Sequence, residues 1–400
     1  GRQLITIENL AKRDGGKVFL HPVQQALVNP HGTQCGFCTP GMVMSMFSLW
    51  KNHRNPDDNA IREALAGNLC RCTGYQSILD AVHQWFLVKE ADHFDDQEEE
   101  MIRLLQKITA DKITLDIKSD HQRYLKPFNL AEALQLAKEN PGSAVINGST
   151  DVALRQTKKR ELLPLIIDLS DVHELDYLTD EGDHWRFGAG VTLERLKDWS
   201  QGNLPAMNSI LKVFGSLQIR NLATLGGNIG SASPIGDLLP LLLVLDTMIV
   251  TRSSSGNRNI PIRDFITGYR QTALQPGEII AEVIISKPDE LELIRTYKVS
   301  KRPDVDISTV SAAFSLRQEN GVVAAISLAY GGMADRPLRA TAVEDYLTGK
   351  PWNRESVETA MNIVRNSFSP ISDARAGAGY RSQVSANLLL KFYLESEHHQ

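Results

Sequence analysis

Apolar residues in the first part of the chain recur every three to four positions, with polar residues and turn formers between them. This spacing is typical of helices with one buried face, and it predicts helices at residues 22–29, 42–50, 57–67 and 75–87. Ahead of them, Leu4, Ile5 and Ile7 alternate with polar positions and predict a short strand within residues 1–11, without a partner at hairpin distance. We therefore expect a small all-helical domain over residues 12–88.

Residues 89–120 interrupt this pattern, because their apolar content falls and the run DDQEEE at residues 95–100 concentrates negative charge. Like charges repel one another, so the run favours an extended, solvated linker. From Tyr124 onward short strands alternate with helices. The pattern predicts a helix at residues 130–139, a strand entering a glycine-containing loop at 143–151, and a buried strand at 162–170. This alternation indicates a mixed α/β or α+β domain over residues 121–288.

After Pro288 the pattern restarts with strand-like runs at residues 292–300, 308–318 and 321–333. The turn formers Glu319-Asn320-Gly321 separate the last two runs. Helical patterns at residues 354–366 and 374–395 close the chain. We expect a third domain at residues 289–400 that combines an antiparallel sheet with helices, so the fold class is multidomain α+β.

The length and composition of the chain indicate how many domains to expect and which partners its charge disfavours. A chain of 400 residues exceeds the ~250–300 at which one core stops growing, which favours two or three domains. Its 43 Lys and Arg against 48 Asp and Glu give a net charge of -5, the wrong sign for binding nucleic acid. The most apolar run, Leu238–Leu245, is far shorter than the ~20 residues of a membrane span. No segment directs export, so we expect a soluble protein of the cytoplasm.

The cysteines are clustered rather than scattered. They form a Cys-x2-Cys pair and a Cys-x-Cys pair, namely Cys35, Cys38, Cys70 and Cys72. A disulfide scaffold suits small secreted domains, so a metal or cluster site is the leading interpretation. Residues two apart on a helix point to nearly opposite sides, so Cys70 and Cys72 are expected in a loop.

Each cysteine pair stands just before a predicted helix. Thr39 and Pro40 have the sequence of an N-cap followed by a first-turn proline, and Thr73 with Gln76 has the sequence of a capping box. Two helix N-termini would direct partial positive charge at the thiolates, which suits an iron–sulfur cluster. Structural zinc is the main alternative, since four cysteines also form zinc sites; free or disulfide-bonded thiols are a third possibility.

Two loops offer unhindered backbone to a phosphate. Residues 147–151 (NGSTD) follow a predicted strand, although an ordinary turn is the better explanation of this loop taken alone. Residues 223–237 (ATLGGNIGSASPIGD) are too long for one turn and indicate a dinucleotide cradle. No Gly-x-x-x-x-Gly-Lys occurs, and Gly188-Ala-Gly190 lacks the third glycine of the Rossmann fingerprint, so neither of those nucleotide-binding folds is supported.

Residues 21–50 (HPVQQALVNPHGTQCGFCTPGMVMSMFSLW) and 66–82 (AGNLCRCTGYQSILDAV) closely resemble the helical [2Fe-2S] domain of the molybdenum hydroxylases. The resemblance implies that Cys35, Cys38, Cys70 and Cys72 hold one [2Fe-2S] cluster. It also implies that Gln34 lies against the molybdopterin cofactor of a partner subunit. A ferredoxin-like domain with a second [2Fe-2S] cluster is expected ahead of residue 1, with residues 1–11 as its truncated end.

The two loops look like the FAD-binding segments of the flavoprotein domain of the same family, and residues 296–308 and 329–337 look like its C-terminal portion. The resemblance therefore covers essentially the whole chain. It implies FAD contacts at Ala144, Val145, Ile146, Asn147, Gly148, Ser149, Thr150, Asp151, Phe214, Thr224, Leu225, Gly226, Gly227, Asn228, Asp237, Ile280 and Lys298. Without it, Phe214 would be assigned to the core, and a solvated charged face would comprise Lys298, Arg302, Asp304 and Asp306.

The resemblance implies an electron-transfer chain for a molybdopterin-binding large subunit, with NAD as a further partner and a dimer of two-chain units. No residue of this chain would then touch the hydroxylated substrate. Eukaryotic members of the family carry consecutive acidic residues where this chain has Val305-Asp306, which bears on how the flavin reacts with NAD. The rival from another class is a zinc-stapled nucleotide-binding protein.

Overall fold

The computed structural model describes residues 2–86, 91–110, 112–302 and 305–397. It divides into two compact units, Gly1–Lys112 with Ser216–Gln218, and Ile113–Gly215 with Ile219–Gln400. Each unit has its own hydrophobic core. The chain therefore separates the predicted cysteine site from the predicted phosphate loops.

Helices dominate the first unit, as predicted. They are α1 (Pro22–Val28), α2 (Thr39–Asn52), α3 (Asp58–Leu65), α4 (Gln76–Phe86) and α5 (Glu98–Thr109). The first four match the predicted helices. Their apolar faces meet in one core around Leu27, Met46 and Trp50, because residues three and four apart on a helix share a face.

This unit is not all-helical, because a β-hairpin precedes α1. Its strands are β1 (Lys12–Asp14) and β2 (Lys17–Phe19), paired antiparallel. Gly15 and Gly16 connect them with φ angles of 54° and 80°. Both angles are in the left-handed region that favours glycine and that two-residue hairpin turns require. The Asp-Gly-Gly sequence is a hairpin signal that the sequence analysis overlooked.

The strand predicted from Leu4, Ile5 and Ile7 is wrong. Residues 2–6 form no regular element, and a short 3-10 helix covers Ile7–Asn9. Ile5 and Ile7 are half-buried against the core, whereas Leu4 is 85% exposed. A pattern of three apolar residues in four positions is too short to distinguish a strand from a turn whose side chains pack against the core.

The extended conformation predicted for the linker at residues 89–120 is wrong over Glu98–Thr109, which form α5, whereas Leu115–Lys118 form an extended strand. The acidic run leads into α5, whose first turn contains Glu98, Glu99 and Glu100. Negative charge is favourable at a helix N-terminus, which offsets the repulsion among these side chains. Residues 87–90, where the helical domain was predicted to end and the linker to begin, lie outside the described residues.

A buried charged cluster attaches the segment before α5 to the helices. Asp92 accepts hydrogen bonds from Lys51 Nζ at 2.6 Å and from His21 Nε2 at 3.0 Å. The other ring nitrogen of His21 caps α1 by accepting from the Val23 amide, so Nε2 carries the proton. Burial raises the pKa of the Asp92 carboxyl, but its bonds to Lys51 and His21 outweigh this and lower it below its usual range.

Replacing Asp92 with asparagine is expected to destabilise the first unit by about 2 kcal/mol, because it removes the buried carboxylate that accepts from Lys51 and His21 and leaves Lys51 with the more exposed Asp95 as its partner. The measurement is hydrogen–deuterium exchange of the α2 amides, which should become faster. The matched control is Asp96→Asn, which changes an exposed carboxylate four residues along the chain. Equal exchange of α2 in both variants would contradict a stabilising role for the cluster.

The second unit begins with a small mixed sheet. Its strands are β3 (Leu115–Lys118), β4 (Arg123–Lys126), β5 (Ala144–Ile146) and β6 (Leu165–Asp168), with helices α6 (Leu130–Glu139) and α7 (Ala153–Thr157) in the connections. The strand order is β3-β4-β6-β5, with β6 parallel to both β4 and β5. The predicted helix at residues 130–139 and both predicted strands are present. The sheet places the loop after β5 at its edge, because β5 is an outer strand.

An antiparallel sheet of order β10-β9-β13-β8-β7 follows. Its strands are β7 (Leu178–Asp180), β8 (His184–Gly188), β9 (Met248–Ser253), β10 (Gly256–Pro261) and β13 (Ile279–Ser286). A separate hairpin of β11 (Ile266–Gly268) and β12 (Gln271–Thr272) lies between β10 and β13 in the chain. The helices of this part are α8 (Leu193–Asn203), α9 (Pro205–Lys212), α10 (Leu217–Arg220), α11 (Leu225–Gly230), α12 (Leu239–Val244) and α13 (Ile262–Phe265).

A four-stranded antiparallel sheet and three helices complete the second unit. They are β14 (Leu293–Val299), β15 (Val310–Glu319), β16 (Val322–Gly331), β17 (Leu338–Arg339), α14 (Thr341–Leu347), α15 (Arg354–Ser367) and α16 (Ala378–Glu397). The turn predicted at residues 319–321 joins β15 to β16. Every residue of α12 is buried, and this helix packs on β15 and β16. The predicted FAD-binding and C-terminal domains therefore share a core within one unit.

None of the described helices is both long and apolar enough to cross a membrane.

Candidate functional sites

The four cysteines lie in two loops, as predicted. Cys38 directly precedes α2, and Cys70 and Cys72 lie between α3 and α4 outside any regular element. Cys70 is the least exposed of the four, and Cys35 and Cys72 are the most exposed. The loop was predictable for the Cys-x-Cys pair because side chains two residues apart on a helix point to nearly opposite sides.

The caps differ from the predicted ones. Cys38 itself is the N-cap residue of α2, and Thr39 is the first helical residue. The Thr73 hydroxyl accepts a hydrogen bond from the Tyr75 amide at 3.2 Å and lies 3.3 Å from Cys70 Sγ. The predicted capping box with Gln76 is therefore not formed, because Thr73 is committed to the cysteine loop.

The thiols form two pairs. Cys35 Sγ and Cys72 Sγ are 3.6 Å apart, and Cys38 and Cys70 are neighbours that shift each other's pKa. A [2Fe-2S] cluster takes four cysteine ligands on two irons, so two pairs fit it. The charges of the four thiols also influence one another across the two pairs, so they lie in one cluster, which four-cysteine zinc sites require as well. Among the described residues, no group of three or more Cys, His, Asp or Glu side chains is arranged to hold one metal ion.

Hydrogen bonds from the loops favour the thiolate form in each pair. The Thr73 side chain, followed by the amides of Thr73 and Cys72, lowers the pKa of Cys70 to about 7. The Phe37 amide lowers the pKa of Cys35. Metal ligation needs the deprotonated thiol, so each pair contains one sulfur prepared for it. Donors aimed at cluster sulfurs also tune an iron–sulfur centre.

Gln34, predicted to face a partner's cofactor, is exposed beside Cys35. Two large apolar side chains are exposed in the same loops, Phe37 at 94% and Leu69 at 60%. The cysteine loops therefore expose two thiols and two large apolar side chains.

A cavity of about 750 Å³ lies in the second unit, within the ~300–1,000 Å³ usual for ligand clefts. Fifteen of the seventeen predicted FAD contacts line it: Val145, Ile146, Asn147, Gly148, Ser149, Thr150, Asp151, Phe214, Thr224, Gly226, Gly227, Asn228, Asp237, Ile280 and Lys298. The predicted contacts Ala144 and Leu225 do not line it. Ala144 begins β5, and Leu225 is fully buried in the hydrophobic core. The two predicted loops thus form walls of one cavity.

The loop after β5 provides free backbone donors. Ser149 has a φ angle of 62°, and the amides of Gly148, Ser149 and Thr150 have no acceptor among the described residues. Successive amides in such a conformation form an anion-binding nest. A Cβ on Gly148 would lie 1.6 Å from the carbonyl oxygen of Leu222, so only glycine allows the two backbones this approach. The loop fits a diphosphate.

The second loop differs from its prediction, because its first amides are not available to a ligand. The amides of Leu225 and Gly226 donate to carbonyls of Val191 and Ala189, and the Gly227 amide donates to the Thr224 side chain. These bonds fix α11 against the rest of the unit. The loop instead contributes Asn228, whose Oδ1 is buried without a hydrogen-bond partner among the described residues. A ligand donor would satisfy that oxygen.

Phe214 and a buried ion pair also line the cavity. Lys298 Nζ is 2.9 Å from Asp237 Oδ2 and donates to the Val213 carbonyl at 2.9 Å. The Ser308 hydroxyl donates to the second oxygen of Asp237. Burial raises the pKa of Asp237 despite these partners. Lys298 therefore connects the segment that carries Phe214 to the acidic group in the cavity wall.

The charged face suggested for Lys298 and its neighbours is wrong for Lys298, which is 4% exposed along its side chain. Arg302 and Asp306 form a long ion pair of 3.7 Å, and Asp304 lies outside the described residues. Phe214 is half-buried, packs against the core and lines the cavity, and its contact with FAD stays a prediction.

Free nest amides, an orphaned amide oxygen and a flat aromatic wall fit FAD, while the paired thiols fit a [2Fe-2S] cluster. Together they define an iron–sulfur flavoprotein. Residues 6–83 match a family model described as a [2Fe-2S] binding domain, 117–288 match the FAD binding domain in molybdopterin dehydrogenase, and 295–396 match the CO dehydrogenase flavoprotein C-terminal domain. The chain belongs to the molybdenum hydroxylase family as its iron–sulfur and flavin part. The predicted order of domains is confirmed.

The chain is 30% identical to xanthine dehydrogenase 1 of Arabidopsis thaliana, over 100% of this chain and 34% of that protein. It is 29% identical to aldehyde oxidase 1 of Rattus norvegicus, over 99% of this chain and 34% of that protein. The chain thus spans about a third of the length of these relatives.

Among solved structures, the chain resembles a reconstituted CO dehydrogenase from Oligotropha carboxidovorans, with a TM-score of 0.64 at 25% identity over 70% of this chain and 98% of that chain. It resembles quinoline 2-oxidoreductase from Pseudomonas putida 86 with a TM-score of 0.64 at 24% identity, over the same shares of the two chains. These likenesses agree with the fold of the flavin-binding unit.

Proposed function

We propose that the chain is the electron-transfer part of a xanthine dehydrogenase. In this function a [2Fe-2S] cluster and FAD supply the redox chemistry that carries electrons from a partner's molybdenum centre, where a purine is hydroxylated, to NAD. The observation that carries the proposal is the combination of two thiol pairs and a FAD-sized cavity in one chain. The match to xanthine dehydrogenase 1 over 100% of the chain supports it further.

Within this proposal, Cys35 and Cys72 bind one iron, and Cys38 and Cys70 bind the other. The FAD diphosphate accepts hydrogen bonds from the amides of residues 148–150, and its isoalloxazine ring lies beside Phe214. The chemistry of the two groups supports this assignment, because free amides bind phosphate oxygens and an aromatic side chain packs against a flat ring.

The partner is a molybdopterin-binding large subunit that covers the cysteine loops, and two such two-chain units form a dimer in the cytoplasm. The exposed side chains of Gln34, Phe37 and Leu69 support a docking surface at these loops, since exposed apolar side chains are stabilised when a partner buries them. A partner seated there would also bring its cofactor close to the exposed Cys35 and Cys72.

NADH is expected to bleach the flavin absorbance of this chain purified alone, whereas xanthine is expected to leave it unchanged. The physical reason is that the NAD-reactive cofactor is bound by this chain and the purine site is not. The measurement is the visible spectrum under anaerobic titration, together with iron and FAD content. Purine oxidation by the chain alone, without molybdenum or a second polypeptide, would contradict the proposal.

The related alternatives are the iron–sulfur and flavin parts of an aldehyde oxidase or a CO dehydrogenase. Identity to the aldehyde oxidase relative is nearly the same, at 29% against 30%. Turnover of the complex with its molybdopterin subunit distinguishes them. Xanthine-dependent reduction of NAD supports the proposal, and turnover of an aldehyde or of CO without turnover of xanthine would replace it.

A further inference from the structure

One exposed ion pair spans the cavity beside the free amides. Arg270 lies in the turn between β11 and β12 with a φ angle of 52°. Its guanidinium donates to both carboxylate oxygens of Asp151, at 2.8 Å and 3.2 Å. Both residues line the cavity. The fork thus joins two loops that are 119 positions apart in the sequence.

Arg270 differs from the other cationic side chains of the cavity in the loop to which it is hydrogen-bonded. The described cations that line the cavity are Arg270, Lys298, Arg375 and Arg381. Lys298 bonds to Asp237, and both Arg375 and Arg381 bond to Asp373. Of the four, Arg270 is the one with a hydrogen bond to the loop of residues 147–151.

The contact between Arg270 and Asp151 affects the charge beside the free amides. Asp151 follows directly after the amides of Gly148, Ser149 and Thr150, which have no acceptor among the described residues. An unpaired carboxylate at this place would repel a diphosphate, because like charges disfavour each other at short range. A guanidinium fork cancels that charge and restricts the loop at the same time.

We propose that Asp151 and Arg270 form a clasp that retains FAD by holding the diphosphate loop in place. The proposal rests on the placement of FAD in this cavity under the proposed function. Arg270 acts through Asp151, so it is a positioning residue. Breaking the clasp from either side, with Arg270→Gln or Asp151→Asn, is expected to weaken FAD binding about three- to tenfold, as for a partly exposed fork.

The experiment measures the affinity of the flavin-free full chain for FAD and for riboflavin, which has the ring but no phosphate. Each single variant should lose affinity for FAD and keep the wild-type affinity for riboflavin. The double variant should lose no more FAD affinity than a single one, because both changes break the same interaction. The rate at which the holoprotein releases FAD after dilution gives a second measure, for use if a flavin-free variant does not stay folded.

Arg123→Gln is the matched control. Arg123 forms an equally exposed fork with Asp116, at 2.9 Å and 3.0 Å, and neither residue lines the cavity. This variant should bind both flavins like the wild type. An effect of Arg123→Gln as large as that of Arg270→Gln would overturn the clasp, because a general loss of surface charge would then explain both.

Three further outcomes overturn it. If Asp151→Asn keeps or raises FAD affinity while Arg270→Gln lowers it, the charge of Arg270 acts on the phosphates and the restraint of the loop contributes nothing. If the two effects add in the double variant, the residues act separately. If riboflavin binding falls as much as FAD binding, the change is general to the cavity. Failure of the wild type to bind FAD would instead reject the placement of FAD itself.

Discussion

Purified protein with Cys70 replaced by alanine is expected to contain about tenfold less cluster iron than the wild type, or less still. Cys70 is the least exposed of the four thiols, and hydrogen bonds lower its pKa to about 7. Its loss would leave Cys38 without the second sulfur of its pair. Iron and acid-labile sulfide analysis measures the loss, and the reduced protein should lack the cluster's paramagnetic signal.

The FAD content of this variant is an internal control, because the flavin cavity belongs to the other compact unit and should be unaffected. Thr73→Val is the matched variant. It removes the hydroxyl 3.3 Å from Cys70 Sγ but no thiol, so it should keep the iron and alter only the spectrum or the potential. Wild-type iron content with an unchanged signal in Cys70→Ala would reject the four-cysteine site.

Replacing Gly148 with alanine is expected to yield protein with less than about a tenth of the wild-type FAD. The added Cβ would lie 1.6 Å from the Leu222 carbonyl oxygen and 2.5 Å from its carbon, so backbone has to move. Such a displacement shifts the adjacent amides of Ser149 and Thr150 away from the diphosphate, and misplaced donors bind weakly. Flavin absorbance per chain, compared with iron per chain, measures the effect.

Gly142→Ala is the control for this variant, because a Cβ at Gly142 meets no atom within 4 Å. It precedes β5 in the same part of the chain and should keep full FAD. Iron content should be normal in both variants, since the cysteine loops belong to the first unit. Normal FAD in a folded Gly148→Ala protein would show that this loop does not hold the diphosphate.

Local geometry explains what the sequence could predict. The position of Cys70 and Cys72 in a loop follows from the directions of side chains two apart, and the helices follow from apolar spacing. The acidic residues at 95–100 do not adopt the expected extended conformation, because charge alone does not determine the conformation of a segment. In the structure Asp95 bonds to Lys51, and the glutamates begin a helix. Both effects depend on what surrounds the charges.

Tertiary partners explain what the sequence could not predict. Ser308 reaches Asp237 from 71 positions away, and Arg270 reaches Asp151 from 119. No local pattern marks either residue. The free backbone expected over residues 223–237 is wrong for the first amides of this loop for the same reason, since the distant Val191 and Ala189 carbonyls and the Thr224 hydroxyl accept from them. The resemblance to the family identified residues that line the cavity. Only the folded structure shows which of their polar groups are free to bind a ligand.

The buried helix α12 limits how the FAD-binding and C-terminal domains can be separated during evolution. It lies among residues matched to the FAD-binding domain, yet it packs on β15 and β16, which are matched to the C-terminal domain. A gene rearrangement that separated the two would expose a helix whose every residue is buried, and the resulting chain would tend to aggregate. The two domains are therefore expected to recombine as one module, whereas the helical unit, with its own core, can be fused to them or encoded apart.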